Sequence, residues 1–255
     1  MGYDTGKGKF HVIDHVFADY GMQIERPIQK DDTYVVFISG FDLLHLKKCA
    51  LELKLFLGWI AGLLNNIIED IEIDKIVRVI IAGGSTQTSP EKSGGGFSMT
   101  SRVSQSNETI EAVKLLDSFL LDLCQSVDVD LMPGENDPSN HILPQKAMHC
   151  CMFPLSGVYE SLNRVTNPYQ CKIDGIEILG SSGQPVNDIL KYSNIQTPMD
   201  ALESCLRWNH MAPTAPDTLG CYPFYETDPF IVEHCPHVFF SSNHEKFDTK
   251  ISTGK

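Results

Sequence analysis

Four short apolar runs, each closed by glycine or by Pro-Gly, limit what this chain can become: TYVVFIS ends at Gly40, IVRVIIA at Gly83, VDLM at Pro133-Gly134 and GIEIL at Gly180. The first has no polar alternation, which marks a strand buried on both faces. Helical periodicity fills the intervals. Leu43 to Asp70 carries apolar residues at helical spacing, and Glu108 to Val127 sets Ile110, Val113, Leu116, Leu120, Leu123 and Val127 on one stripe, with Glu108 and Glu111 in the first turn. Strand, helix and strand in that order form a crossover unit, so the first strands should be parallel and the core α/β.

Farther along, helices are expected at Val186 to Tyr192 and Pro198 to Trp208, with a last strand, HVFF, at His237 to Phe240. Gly83 to Ser106 is so rich in Gly, Ser and Thr that it reads as a flexible surface insertion. Residues 32–255 read as one main domain. Residues 1–31, with KFHVIDHVFADYG alternating like an edge strand, read as the end of another unit. A chain of 255 residues can bury a core of this kind without disulfide staples.

Charge narrows the classes of function. With 20 basic and 33 acidic residues the net charge is -13, and affinity for nucleic acid rests largely on Lys and Arg, so a broad DNA-gripping face is not expected. Lys47-Lys48 is the one basic pair in the folded part, and it reads as a solvated helix face. The longest uncharged apolar run, Leu55 to Leu64, is about half the ~20 residues a membrane-spanning helix needs. The N-terminus MGYDTGKGKF has no hydrophobic stretch, so no signal peptide is expected. The eight cysteines form no Cys-x-x-Cys pair and read as reduced thiols. Cys150 and Cys151, if on a strand, would point to opposite faces and share no metal.

In sheets of this kind ligands gather past the carboxyl ends of the strands. That directs attention to five loops: Gly40 to Asp42, Gly83 to Ser85, Gly134 to Asp137, Gly180 to Gln184 and Ser241 to Glu245. Neither GGSTQTSPEKSGGG nor LGSSGQ has the Lys-Ser/Thr pair of a phosphate-binding loop. Ser181 or Ser182 as a nucleophile would need a base, and His244 is the candidate these loops offer. Two-metal phosphoester hydrolysis needs a bridging carboxylate and several His or Asn ligands converging from different strand ends.

The loop order resembles that of the calcineurin-like metallophosphoesterases, whose motifs are Asp-x-His, Gly-Asp, Gly-Asn-His-Asp/Glu, a single His and Gly-His-x-His. In this sequence the matching stretches are Gly40-Phe41-Asp42, Gly83-Gly84, Gly134-Glu135-Asn136-Asp137, Ser181-Ser182 and Ser242-Asn243-His244-Glu245. Every expected ligand is replaced, and the vestigial positions are Gly40, Asp42, Gly84, Glu135, Asn136, Ser182, Asn243 and Glu245. Longer strings are more discriminating. PGENDPSN, LPQ, NPYQ, GSSGQ followed by Asp188, APTAPDTLGCYPF, DPFI and CPHVFF resemble the B-subunit family of the alpha, delta and epsilon DNA polymerases, and its delta branch in particular.

That resemblance implies a calcineurin-like phosphoesterase fold, a β-sheet sandwich flanked by helices, that is catalytically degenerate. It implies that 1–31 is the exit from an oligonucleotide/oligosaccharide-binding (OB) domain and that the closing C-terminal strands are missing. It further implies a non-catalytic scaffold of nuclear DNA replication, with no cofactor and no catalytic or metal-binding residue. Its partners would be the cysteine-rich C-terminal domain of polymerase delta's catalytic subunit, the accessory subunit and, indirectly, the sliding clamp, with DNA contact weak or indirect and no membrane. Tyr222, Phe224, Tyr225 and Phe230 are the candidate docking residues, since aromatic anchors often dominate interfaces; packing a core is the alternative role. The rival functions are a divergent metal-dependent phosphodiesterase or nuclease, and a phosphate- or nucleotide-sensing domain using Gly180 to Gly183.

Overall fold

The computed structural model describes residues 1–16, 18–41, 43, 50–64, 72–86 and 99–252, of which 99–106 by backbone alone. The chain opens with an antiparallel hairpin of β1 (Gly2–Asp4) and β2 (Phe10–Val12). A four-stranded parallel sheet follows, in the order β3 (Tyr34–Ile38), β4 (Ile76–Ala82), β5 (Val129–Met132) and β6 (Leu162–Arg164). A second sheet holds β7 (Tyr169–Ile173), β8 (Ile176–Ser181) and β9 (Val238–Ser241), with β7 antiparallel and β9 parallel to β8. Among the described residues four α-helices accompany them: α1 (Ala50–Ile60), α2 (Met99–Cys124), α3 (Gln184–Tyr192) and α4 (Pro198–Trp208). The expected mixed α/β core with parallel strands is present.

Successive strand residues face opposite ways, and β4 and β5 use both faces. Val79 and Ile81 of β4, with Val129 and Leu131 of β5, pack in one cluster with Leu116, Phe119, Leu120 and Leu123 of α2 and Ile60 of α1. Each fully buried leucine there contributes about 2 kcal/mol relative to exposure. The opposite face of β5 carries Asp130, fully buried, which accepts hydrogen bonds from Arg78 Nη1 at 3.1 Å, Asn163 Nδ2 at 3.1 Å and Tyr169 Oη at 2.8 Å. Tyr169 belongs to the second sheet, so this polar lock joins the two. Burial, and then the bond to Asp130, push its hydroxyl well above the ordinary range, so it stays a donor. Phe37 of β3 against Phe240 of β9, ring centroids 5.0 Å apart, is a second link.

Several boundaries differ from the sequence expectation. Helix α2 starts at Met99, inside the stretch read as a flexible insertion; lengthening an existing helix costs far less than nucleating one. Within the expected Leu43–Asp70 helix, α1 covers Ala50–Ile60, while 44–49, with Lys47-Lys48, and 65–71 lie outside the described residues. Gly175 sits in a turn rather than a strand: Asp174 and Gly175 have φ of 48° and 81° and close the unexpected β7–β8 hairpin. Of the described residues of KFHVIDHVFADYG, Phe10–Val12 form a strand. The following stretch lies along the main body, where Met22 O accepts from Cys235 N at 3.0 Å and Tyr20 Oη donates to Glu203 at 2.7 Å. Among the described residues no helix is long and apolar enough to cross a membrane.

Candidate functional site

The loops past β3, β4, β5, β8 and β9 meet at one point, and the meeting is too tight for side chains. Gly40, Gly83, Gly84 and Gly183 have φ of 71°, 79°, 70° and 101°, a region that L side chains rarely adopt. A Cβ on Gly84 would lie 2.3 Å from Asn243 Oδ1, one on Gly134 2.5 Å from Gly84 N, and one on Gly183 2.2 Å from Ser242 O. Asn243, itself at φ 59°, stands at the centre. Its Nδ2 donates to Ser182 O at 2.9 Å and Ala82 O at 3.2 Å, and its backbone N–H to Ser39 Oγ at 3.3 Å. One residue after β9 thereby ties together the ends of β3, β4 and β8.

Two further polar arrangements close the crevice. Asp137 is 2% exposed and accepts from Gly134 N at 2.8 Å, Ser85 N at 3.2 Å, and Thr86 N and Oγ1 at 2.8 and 2.9 Å. Its oxygens are occupied in joining the β4 and β5 loops. Asn167 Nδ2 lies 2.7, 2.8 and 3.0 Å from Gln145 Oε1, Ser182 Oγ and Gln184 Oε1, which share its two hydrogens, while Gln145 Nε2 donates to Gly134 O at 3.0 Å. Ser182 Oγ in turn donates to Gln184 Oε1. Amides and a hydroxyl, each satisfied by another, thus pack beside the Asp137 carboxylate.

The positions that the sequence comparison marks as vestigial are divided in space. Gly40, Gly84, Ser182 and Asn243 come together; Glu135 and Glu245 are exposed, Asn136 is partly buried, and Asp42 lies outside the described residues. The base expected for Ser182 is engaged elsewhere: His244 Nε2 is 2.7 Å from Ser241 Oγ, and burial lowers its pKa below the usual 6.5. The residues sequence reasoning missed are Asp137, Gln145, Asn167 and Gln184. Their signal was present, since polar side chains beside proline in PGENDPSN, LPQ and NPYQ can serve a buried network as well as a surface loop.

Two other sequence expectations are corrected. Phe230 is 2% exposed in a cluster with Leu143, Leu179, Met211, Ala212 and Val232, so it is a core residue and no free docking anchor. Asp228 places it, accepting from Phe230 N at 2.9 Å while its other oxygen pairs with His210 Nε2 at 2.8 Å. Tyr222, Phe224 and Tyr225 are 54%, 48% and 92% exposed and, with Cys221, Pro229 and Phe230, line a cleft of about 270 Å³. Cys150 and Cys151 lie on a 3-10 turn, Cys150–Met152, where side chains step by roughly a third of a turn and do not alternate.

Comparison with known proteins agrees with the long strings. The B-subunit family of DNA polymerases alpha and epsilon matches residues 35–249. The DNA polymerase delta small subunits of Arabidopsis thaliana and Oryza sativa subsp. japonica are 41% and 39% identical over 99% of this chain. DNA polymerase delta subunit 2 of Drosophila melanogaster is 39% identical over 100% of it. The chain spans 57–58% of the length of these relatives.

Proposed function

This chain belongs to the alpha/epsilon DNA polymerase B-subunit family, and from that premise we propose that it is a non-catalytic accessory subunit of the nuclear, replicative polymerase delta. In this reading residues 32–255 form a calcineurin-like phosphoesterase domain without its catalytic metals, and 1–31 the exit from an OB domain. The domain docks the cysteine-rich C-terminal domain of the catalytic subunit and carries the accessory subunit that reaches the sliding clamp. A net charge of -13 suits a body that meets basic protein surfaces and touches DNA weakly or indirectly.

One observation carries the reading: the Asn243 amide occupies the space into which a bridging carboxylate at position 84 would project. A neutral amide, with its hydrogen spent on Ser182 O and Ala82 O, supplies neither the charge nor the imidazole that two divalent cations require. The similarity to polymerase delta small subunits supports the choice of complex.

Capture of the purified C-terminal domain of the catalytic subunit tests the proposal. Stoichiometric binding to a full-length version of this chain is expected, and a clean negative there would sink the scaffold. Sustained Mn2+-dependent cleavage of a generic phosphodiester, lost on changing Asp42 and Glu135, would replace it with the enzyme.

A further inference from the structure

The turn between Met148 and Phe153 carries chemistry that the crevice does not use. Its sequence is Met-His-Cys-Cys-Met-Phe, and both ends are anchored: Met148 and Phe153 are buried in the main core, and Arg164 Nη1 donates to Met148 O at 3.0 Å. Between these anchors His149, Cys150 and Cys151 are all exposed. His149 caps the turn in extended backbone and folds its ring back over it, so that the ligand atoms of the imidazole and the two thiols lie within 4.8 Å of one another, with Cys150 Sγ 3.9 Å from His149 Nδ1. The Cys151 N–H donates to Nδ1 at 3.3 Å, and a bond this long is readily exchanged for a metal ion.

We propose that His149, Cys150 and Cys151 form a Zn2+ site with one imidazole nitrogen and two thiolates, its fourth tetrahedral position open to water or to a side chain of a bound protein. Thiolate and imidazole ligands favour this cation over Mg2+ or Ca2+. Zn–S and Zn–N bonds of about 2.3 and 2.0 Å set tetrahedral ligand separations of roughly 3.5–3.8 Å, so closing the site takes about an ångström of movement by exposed side chains. Binding expels the two thiol protons, and affinity therefore rises with pH. The site lies on a separate turn from the crevice loops and stands whether or not the polymerase reading does.

Co2+ titrated into the full chain, reduced and verified by thiol count, is the probe. The expected result is a thiolate-to-cobalt charge-transfer absorption that saturates at one equivalent and is displaced by Zn2+. Cys150→Ser with Cys151→Ser should abolish it, and His149→Ala should weaken Co2+ binding about tenfold or more. All three side chains are exposed, so the variants should keep the parent's unfolding midpoint, which separates a lost ligand from a lost fold. Absence of the absorption in the reduced parent, or its survival undiminished in the double variant, overturns the assignment.

Discussion

The strand-end crevice and the aromatic loop after Gly220 are both built from turns, and they treat their side chains in opposite ways. In the crevice, polar groups point inward and are consumed: Asp137 takes four donors, and Asn243 and Asn167 bridge loops far apart in sequence. Of the four aromatic side chains of the loop, Phe230 turns inward, while the rings of Tyr222 and Phe224 meet at a tilt with centroids 4.8 Å apart and Tyr225 stands in solvent. Satisfied buried groups rigidify a structure and leave nothing for a ligand. Exposed aromatic area is what an interface can still desolvate. The contrast separates a region that holds the molecule together from one available to hold something else.

Four experiments can break or sharpen it. Asp137→Ala should do the most damage, since it strands buried N–H groups of Ser85, Thr86 and Gly134; a loss of about 3 kcal/mol or more is expected from urea unfolding, with Asp137→Asn intermediate. An unchanged midpoint would mean the crevice is not a structural hub. Gly84→Asp, which restores the missing carboxylate, should cost about 2–4 kcal/mol through backbone strain and collision with Asn243, and bring no Mn2+-dependent phosphodiesterase activity. Gain of turnover would show the crevice to be an open site one residue short of function.

Tyr225→Ala tests the other side of the comparison. Stability should stay within about 0.5 kcal/mol, while calorimetry should show affinity for the C-terminal domain of the catalytic subunit falling about tenfold. Equal affinity would move the docking face away from this loop. The smallest effect should come from His244. Burial lowers its pKa below 6.5, so below that pH the unfolded chain binds more protons than the folded one and stability declines as pH falls. His244→Gln should flatten that slope in urea midpoints measured above and below pH 6.5; an identical slope would place the titrating group elsewhere.

Much of the architecture was legible because it is written in short-range patterns. β4 and β5 fall at Ile76–Ala82 and Val129–Met132 as the apolar runs require, and α4 at Pro198–Trp208, where Thr197 caps the helix by accepting from Asp200 N at 3.1 Å. The β7–β8 hairpin was also legible: Asp-Gly between YQCKI and IEILGS is a strong turn signal, hidden by assigning the glycine to the strand. The start of α2 was obscured by Ser and Thr, which compete locally with the helix. Nothing local separates Phe230 from Tyr225, five positions away in the same Pro- and aromatic-rich stretch; burial beneath Met211 and Val232 does.

By itself the amino-acid order determined the alternation of strand and helix, the acidic net charge and the Gly, Ser and Asn of the strand-end loops, because those properties depend on side-chain type and on spacing along a few turns of chain. Only the packed structure decided that Asn243 lies against Gly84, that Asp137 is spent on backbone amides, and that the ligand atoms of His149, Cys150 and Cys151 lie within 4.8 Å of one another. The first two join residues dozens to more than a hundred positions apart, and the third turns on His149 capping the turn with its own ring. Contacts of that kind exist once the two sheets have closed, since loop geometry is fixed by what it is packed against.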